Sequence, residues 1–163
     1  MSDIEIRPYA VGDAAGVVDL ILPIQREEFG IAVSAADQPD LAAITTFYQS
    51  GKGEFWVAVT AGGIVGTLGL KDIGNDQAAL RKMFVAPQVR GREHGVAALL
   101  LERLIAHAEE REIKEVFLGT TEKFLAAHRF YEKNGFVEIP KETLPASFPV
   151  MAVDVKFYRR RIG

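Results

Sequence analysis

"VRGREHGVAALLL", residues 89–101, follows a proline at position 87 and runs straight into apolar sequence. Its basic half, Arg90-Gly91-Arg92-Glu93-His94-Gly95, packs two arginines and two glycines into six positions. A plain surface turn is one reading, since Gly and Arg are common in loops. An anion cradle is the other. The first turn of a helix leaves backbone N–H groups without partners, and its dipole favours negative charge. Glycines let the backbone approach a phosphate closely, and arginines add charge. Behind the loop, Ala97, Leu101, Leu104 and Ala108 recur at helical spacing, which predicts a helix of about four turns with Val96 and Ala97 in its first.

Upstream, "EFWVAVT" alternates Phe55, Val57 and Val59 against Trp56, Ala58 and Thr60, the pattern of a strand. "AGG" predicts a turn, Ile64 to Asp72 the returning strand, and Ala78 to Val85 a third strand closed by Pro87. Before these, Ile4 to Arg7 reads as a short strand, and Asp13 is placed to cap a helix carrying Val17, Val18, Leu20 and Ile21. A second helix is expected from about Gln38 to Tyr48, with Asp37 as cap and Pro39 in its first turn, ending near Gly51.

Downstream, "EVFLGT" suits a strand buried on both faces. Thr120 or Thr121 then caps a helix with Phe124, Ala127 and Tyr131 on one stripe, stopped by Gly135. Phe136 to Ile139 and "VMAVDVKFY" read as two last strands, the second with Met151, Val153, Val155 and Phe157 on one face. The expected fold is α/β (α+β): a mixed, mostly antiparallel sheet of about seven strands with about four helices packed on it.

The bulk numbers narrow the classes. A chain of 163 residues reads as one domain, 1–163, and can bury roughly 70% of its unfolded surface. With 48% hydrophobic and 25% charged residues it has globular composition. The net charge of −3 argues against a nucleic-acid partner, and the absence of cysteine removes disulfides, thiolate metal sites and a cysteine nucleophile. The N-terminus shows no signal-peptide pattern, and the longest apolar run, Val96 to Leu101, falls far short of the ~20 residues of a membrane span. No membrane partner and a reducing cytoplasm are therefore expected. His94, His107 and His128 lack metal-ligand spacing, so no metal is expected.

"LRKMFVAPQVRGREHGVAALLL" and "AAHRFYEKNGF", taken together, resemble the two signature segments of the GNAT superfamily of acyl-CoA-dependent N-acyltransferases. The matching elements are Met83-Phe84-Val85, the loop Arg90 to Gly95, and Tyr131 with Gly135-Phe136. The element order fits that family over most of the chain. Two positions depart from its pattern. Glu93 stands where the first loop glycine is usual, so its side chain is expected to point away from the phosphates. Phe124 stands where many relatives carry an asparagine, and is expected to pack into the core.

The resemblance implies acetyl-CoA as co-substrate and direct attack of an amine on its thioester. It implies a cofactor site made of Met83, Phe84, Val85, Arg90, Gly91, Arg92, Glu93, His94, Gly95, Val96 and Ala97, with Arg129 and Lys133 able to reach the adenosine phosphates. A backbone N–H near Phe84 or Val85 would hold the oxyanion, and Tyr131 would protonate the departing thiolate. A buried core tyrosine is the alternative for Tyr131. A base must take the amine's proton. Glu28 is the first candidate, with Glu27, Asp72 and a water chain beside it. His107 reads as surface and His128 as helix surface or cofactor neighbour. The segment from Gln25 to Asp40, with Phe29, Ile31 and Val33, is expected to shape the pocket of a small-molecule or peptide amine. The final apolar strand could pair with a second copy as a homodimer edge. A non-catalytic acyl-CoA-binding sensor is the alternative function, and a nucleic-acid-binding domain using Arg90 and Arg92 is disfavoured by the acidic balance.

Overall fold

Alternation in the strands and helical spacing between them resolve into one twisted layer covered on both faces. The computed structural model describes residues 4–28, 30, 34, 38–90, 95–122, 125–151 and 154–162. Its strands are β1 (Glu5–Pro8), β2 (Glu54–Thr60), β3 (Gly63–Gly74), β4 (Gln77–Val85), β5 (Glu115–Thr120), β6 (Val137–Ile139) and β7 (Lys156–Arg161). They form a seven-stranded sheet in the order β1-β2-β3-β4-β5-β7-β6. β4 and β5 are parallel; the other neighbours run antiparallel.

The helices are α1 (Ala14–Pro23), which runs on into a π-helical turn (Ile24–Glu28), α2 (Pro39–Ala42), α3 (Ile44–Phe47), α4 (Val96–Glu110) and α5 (Leu125–Lys133). β2 shows how the faces are divided. Trp56 and Ala58 join a core with Leu100 and Leu104 of α4, while Phe55 and Val57 join Val17 and Ile21 of α1. Burying each such large side chain contributes about 1.5–3 kcal/mol. α4 buries Val96, Leu100, Leu101, Leu104 and Ala108, with Ala97 half-buried beside them. Its first turn lies close on β3 at Gly66, where an added Cβ would stand 3.0 Å from Val96 Cγ1 and 3.1 Å from Leu100 Cδ1.

Several expectations are corrected. The helix expected from Gln38 to Tyr48 is two short ones, broken at Ala43 (φ −137°, ψ 41°). In an unbroken helix residues 40 and 48 would lie about 12 Å apart along the axis. The break brings them together, and the Tyr48 hydroxyl donates to Asp40 Oδ2 at 2.6 Å. Asp37, the expected cap, lies outside the described residues. Asp13 does not cap the helix ahead of it. It ends a single 3-10 turn (Val11–Asp13), and its carboxylate reaches back to the Ala10 N–H at 2.8 Å and to Arg7 at 2.8 and 2.9 Å.

The last strand starts at Lys156 rather than near Val150, because Asp154 closes a turn. Its N–H donates to the Met151 carbonyl and its carboxylate accepts the Met151 N–H, both at 3.0 Å. Met151 and Val155 are exposed, and Val153 lies outside the described residues. β7 also lies between β5 and β6, so it is not an edge on which a second copy could add. Thr120 belongs to β5 and does not cap α5; Gly135, in the left-handed region at φ 88°, ends that helix as expected. Among the described residues no helix is long and apolar enough to cross a membrane.

Candidate active site

The site starts from a defect in strand pairing. β4 and β5 pair only through Gln77–Glu115, Ala78–Val116 and Ala79–Phe117. Beyond these, β4 continues to Val85 and β5 to Thr120 without pairing each other, so the sheet opens into a wedge between them. The far edge of β5 stays paired to β7 as far as Thr120.

At the wedge β4 carries a bulge. Thr67 pairs with Phe84 and Gly69 with Arg81, so Lys82 and Met83 together oppose the single residue Leu68. Lys82 takes a left-handed conformation at φ 56°, and its carbonyl accepts the Thr67 hydroxyl at 2.8 Å. Such conformations cost a non-glycine residue about 1–2 kcal/mol, and bulges re-aim side chains. Leu80, Met83 and Val85 pack with the α4 core, and Phe84 packs with the α1 core. Arg81 and Lys82, though consecutive, both meet residues on the α1–α3 side, Tyr48, Gln38 and Asp40.

Tyr131 closes the α5 side of the wedge. It is buried, edge-on to Phe136 with ring centroids 5.6 Å apart, and its hydroxyl donates to Met83 Sδ at 3.8 Å. Burial pushes its phenol well above the usual tyrosine range, so it carries its proton at neutral pH. Thr120 lies at the end of β5 with its hydroxyl buried and without a hydrogen-bond partner among the described residues. A buried unpaired hydroxyl costs about 1–3 kcal/mol, so such a group marks a position where a partner belongs.

The N-terminus of α4 faces this region. Gly95 precedes it in the left-handed region (φ 62°), and no side chain caps the helix. Arg90 Nε donates to the Val85 carbonyl at 2.9 Å. The Ala86 N–H goes to Val65 of β3 at 2.8 Å; strand alternation turns the Val85 N–H the opposite way, toward the wedge. Met83, Phe84, Val85, Arg90, Gly95, Val96 and Ala97 thus lie along one path from bulge to helix. Gly91, Arg92, Glu93 and His94 lie outside the described residues, as do Phe29, Ile31, Val33 and Phe124. Arg129 and Lys133 are exposed on α5. A helix N-terminus without a side-chain cap, a glycine before it and a hydroxyl without a partner among the described residues fit an extended cofactor bearing phosphates.

Of the proposed bases, Glu28 ends the π-helical turn and its side chain lies outside the described residues; Glu27 is exposed. Asp72 is removed from the chemistry, since its carboxylate accepts the N–H groups of Lys52 and Gly74 at 2.9 and 2.8 Å and holds a turn. His107 is not a free surface residue: its Nε2 lies 2.9 Å from the Lys52 carbonyl, and its ring meets Trp56 edge-on. His128 is buried, with Nε2 2.8 Å from the Thr121 carbonyl.

Behind the bulge lies a polar cluster that the sequence patterns do not predict. Gln25 and Gln38 exchange amide hydrogen bonds at 2.9 and 3.1 Å in a buried setting, and Lys82 Nζ donates to Gln38 Oε1 at 2.6 Å. Arg81 Nε donates to the Tyr48 hydroxyl at 3.2 Å. Asp154, half-buried, feels both cations, and burial raises its pKa. The one sequence signal is the pair of adjacent charges in "ALRKMFV", which a regular strand with one apolar face would separate.

Known proteins share this architecture. The acetyltransferase (GNAT) family profile matches residues 18–136. An N-acetylaspartate synthetase from Danio rerio is 38% identical over 99 residues, 60% of this chain and 34% of that protein. The match covers about a third of this relative's length. A solved GNAT-family acetyltransferase from Staphylococcus aureus Mu50 superposes with a TM-score of 0.94 at 39% identity, covering 99% of this chain and 100% of that one. An N-acetylglutamate synthase from Neisseria gonorrhoeae, solved with coenzyme A and N-acetyl-glutamate, shares the fold at 19% identity and a TM-score of 0.74, over 100% of this chain and 36% of that one.

Proposed function

The chain belongs to the acetyltransferase (GNAT) family, and from that premise we propose that it moves an acetyl group from acetyl-CoA to a primary amine by direct attack, with both substrates on the protein at once. The observation that carries this reading is the wedge itself: the Tyr131 hydroxyl touches Met83 where β4 and β5 part, β5 ends there in a Thr120 hydroxyl without a partner among the described residues, and no side chain caps α4. The coenzyme A in the N-acetylglutamate synthase structure supports the choice of donor.

Acetyl-CoA supplies an activated acetyl thioester when bound. The first-turn amides of α4, entered through Gly95, would hold its phosphates. The Val85 N–H faces the oxygen on which charge develops. Tyr131 keeps its proton on Oη and would offer it as a hydrogen bond to the departing sulfur as the C–S bond breaks. A phenol raised this far contributes first as a hydrogen-bond donor, because full transfer to a thiolate of ordinary pKa (~8.5) runs uphill. Glu28 remains the first candidate to take the amine's proton; Asp154, with its raised pKa, stands second. The names of relatives such as N-acetylaspartate synthetase support an amino-group acceptor. A chain without cysteine suits a reducing cytoplasm, and we place its action there.

The test is thiol release from acetyl-CoA across pooled amines, with calorimetry for coenzyme A. Amine-dependent release with measurable coenzyme A binding is expected. Binding without release from any pool would instead identify an acyl-CoA sensor.

A further inference from the structure

We infer that the acceptor amine carries a carboxylate, and that Arg81 and Lys82 hold it. The inference rests on the acetyl-transfer reading above and names its second substrate.

Both cations are placed on one face by the bulge, Lys82 being the immediate neighbour of Met83, which the Tyr131 hydroxyl touches. Their side chains are 11% and 7% exposed. Charges that deep are costly unless paired, yet the pairing is incomplete. Asp40 Oδ2 lies 3.6 Å from Lys82 Nζ and 4.0 Å from Arg81, and already accepts the Tyr48 hydroxyl. Arg81 meets no carboxylate oxygen at hydrogen-bond distance among the described residues. Its terminal nitrogens face the Pro149 carbonyl at 3.4 Å and the Met151 sulfur at 3.6 Å. The first contact is long and the second a weak acceptor. A guanidinium fork whose outer donors are so poorly used is shaped for a bidentate carboxylate. The segment over it exposes Val150 and Met151, so among the described residues an entering carboxylate would compete with these weak contacts.

The signs of the cluster select the class further. Arg81 and Lys82 stand against Asp40, turned inward to Tyr48, and Asp154, held at the end of β5. A Cβ on Gly119 would lie 2.7 Å from Asp154 Oδ2, so the bare glycine makes room for that carboxylate. Positive and negative groups side by side complement a zwitterion. An amino acid therefore fits better than a polyamine, which brings only positive charge.

The test compares turnover of L-amino acids, their amides, the matching decarboxylated amines and a polyamine with acetyl-CoA. Amino acids are expected to exceed their uncharged counterparts at least tenfold in kcat/KM. Arg81→Gln and Lys82→Met should each raise the amino-acid KM at least tenfold, with kcat changed far less and the calorimetric Kd for coenzyme A within twofold. Calorimetric binding of the amino acid to the coenzyme A complex should weaken in parallel. Equal turnover of amides or polyamine by the unaltered protein overturns the carboxylate assignment and leaves acetyl transfer standing. Thiol release with no amine at all overturns both. The substrate comparison needs no variant, so a folding defect in Arg81→Gln does not touch its outcome.

Discussion

The Tyr131 hydroxyl reaches the Met83 sulfur across 3.8 Å, joining α5 to the bulge of β4 over the gap between β4 and β5. A thioether is a weak acceptor. The phenol therefore gives up little when a better acceptor, such as a developing thiolate, comes into the wedge.

Tyr131→Phe keeps the ring and its contacts with Phe136 and Tyr158 while removing that proton. The expected result is a fall in kcat of about 10²-fold, or ~2.7 kcal/mol. The affinity for coenzyme A should stay within twofold. Stopped-time thiol release at saturating acetyl-CoA reads the first quantity and calorimetry the second; an unchanged kcat would return Tyr131 to the status of a core residue.

The same burial makes a prediction for alkaline pH. A phenol held above its ordinary pKa of ~10 keeps its proton in the folded chain while the unfolded chain loses it. The stabilising contribution is complete below pH ~10 and is lost as pH rises beyond it, at about 1.4 kcal/mol per pH unit for each such tyrosine. Tyr48 and Tyr131 are both raised by burial. Urea unfolding at pH 9, 10 and 11 should show the loss, and Tyr131→Phe should make the slope shallower by one tyrosine's share. Parallel slopes for the two proteins would contradict the assignment.

Thr120→Val tests the unpaired hydroxyl with a change of nearly equal volume. Removing a buried group that lacks a partner should leave stability equal or raise it by up to about 1 kcal/mol. Coenzyme A binding should weaken about fivefold if that hydroxyl bonds the cofactor, the loss of one neutral hydrogen bond. A loss of stability would show that Thr120 Oγ1 is already satisfied in the free protein.

Gly66→Ala addresses the seat of α4. The new Cβ would press on Val96, Leu100 and Ala58 at 3.0–3.2 Å. Overpacking of this kind costs about 1–3 kcal/mol. Because the strain falls on the first turn of α4, the KM for acetyl-CoA should rise together with the loss of melting temperature. A stability change without any KM change would mean that the helix end is not part of the cofactor site.

These experiments divide along the line between what local sequence reveals and what only packing reveals. The strand alternation of residues 54–60, the apolar stripe of Val96 to Ala108 and the stop at Gly135 each arise from neighbours in the chain, and all are legible. Tyr131 can be singled out because it shares a helix stripe with Ala127 and precedes a helix-ending glycine. The cluster behind the bulge cannot. Asp40 and Tyr48 meet only because the chain breaks at Ala43. Lys82 turns to the α1 side only because β4 has one residue more than β3 over that stretch. Asp154 alternates with Met151, Val153 and Val155 in the expected strand, and becomes a half-buried acid through the turn at Met151. Long-range registers decide such positions, and a period-2 pattern carries no trace of them.

The position of β7 also has a consequence for how the molecule comes together. Among the described residues it is the last strand in sequence, yet β6 joins the sheet through it alone. During synthesis, β6 therefore has nowhere to dock until Lys156–Arg161 has emerged and slid between two strands made earlier. A chain cut short before Lys156 would keep its N-terminal meander but carry two raw strand borders, and precipitation rather than a smaller working protein is the fate to expect of it.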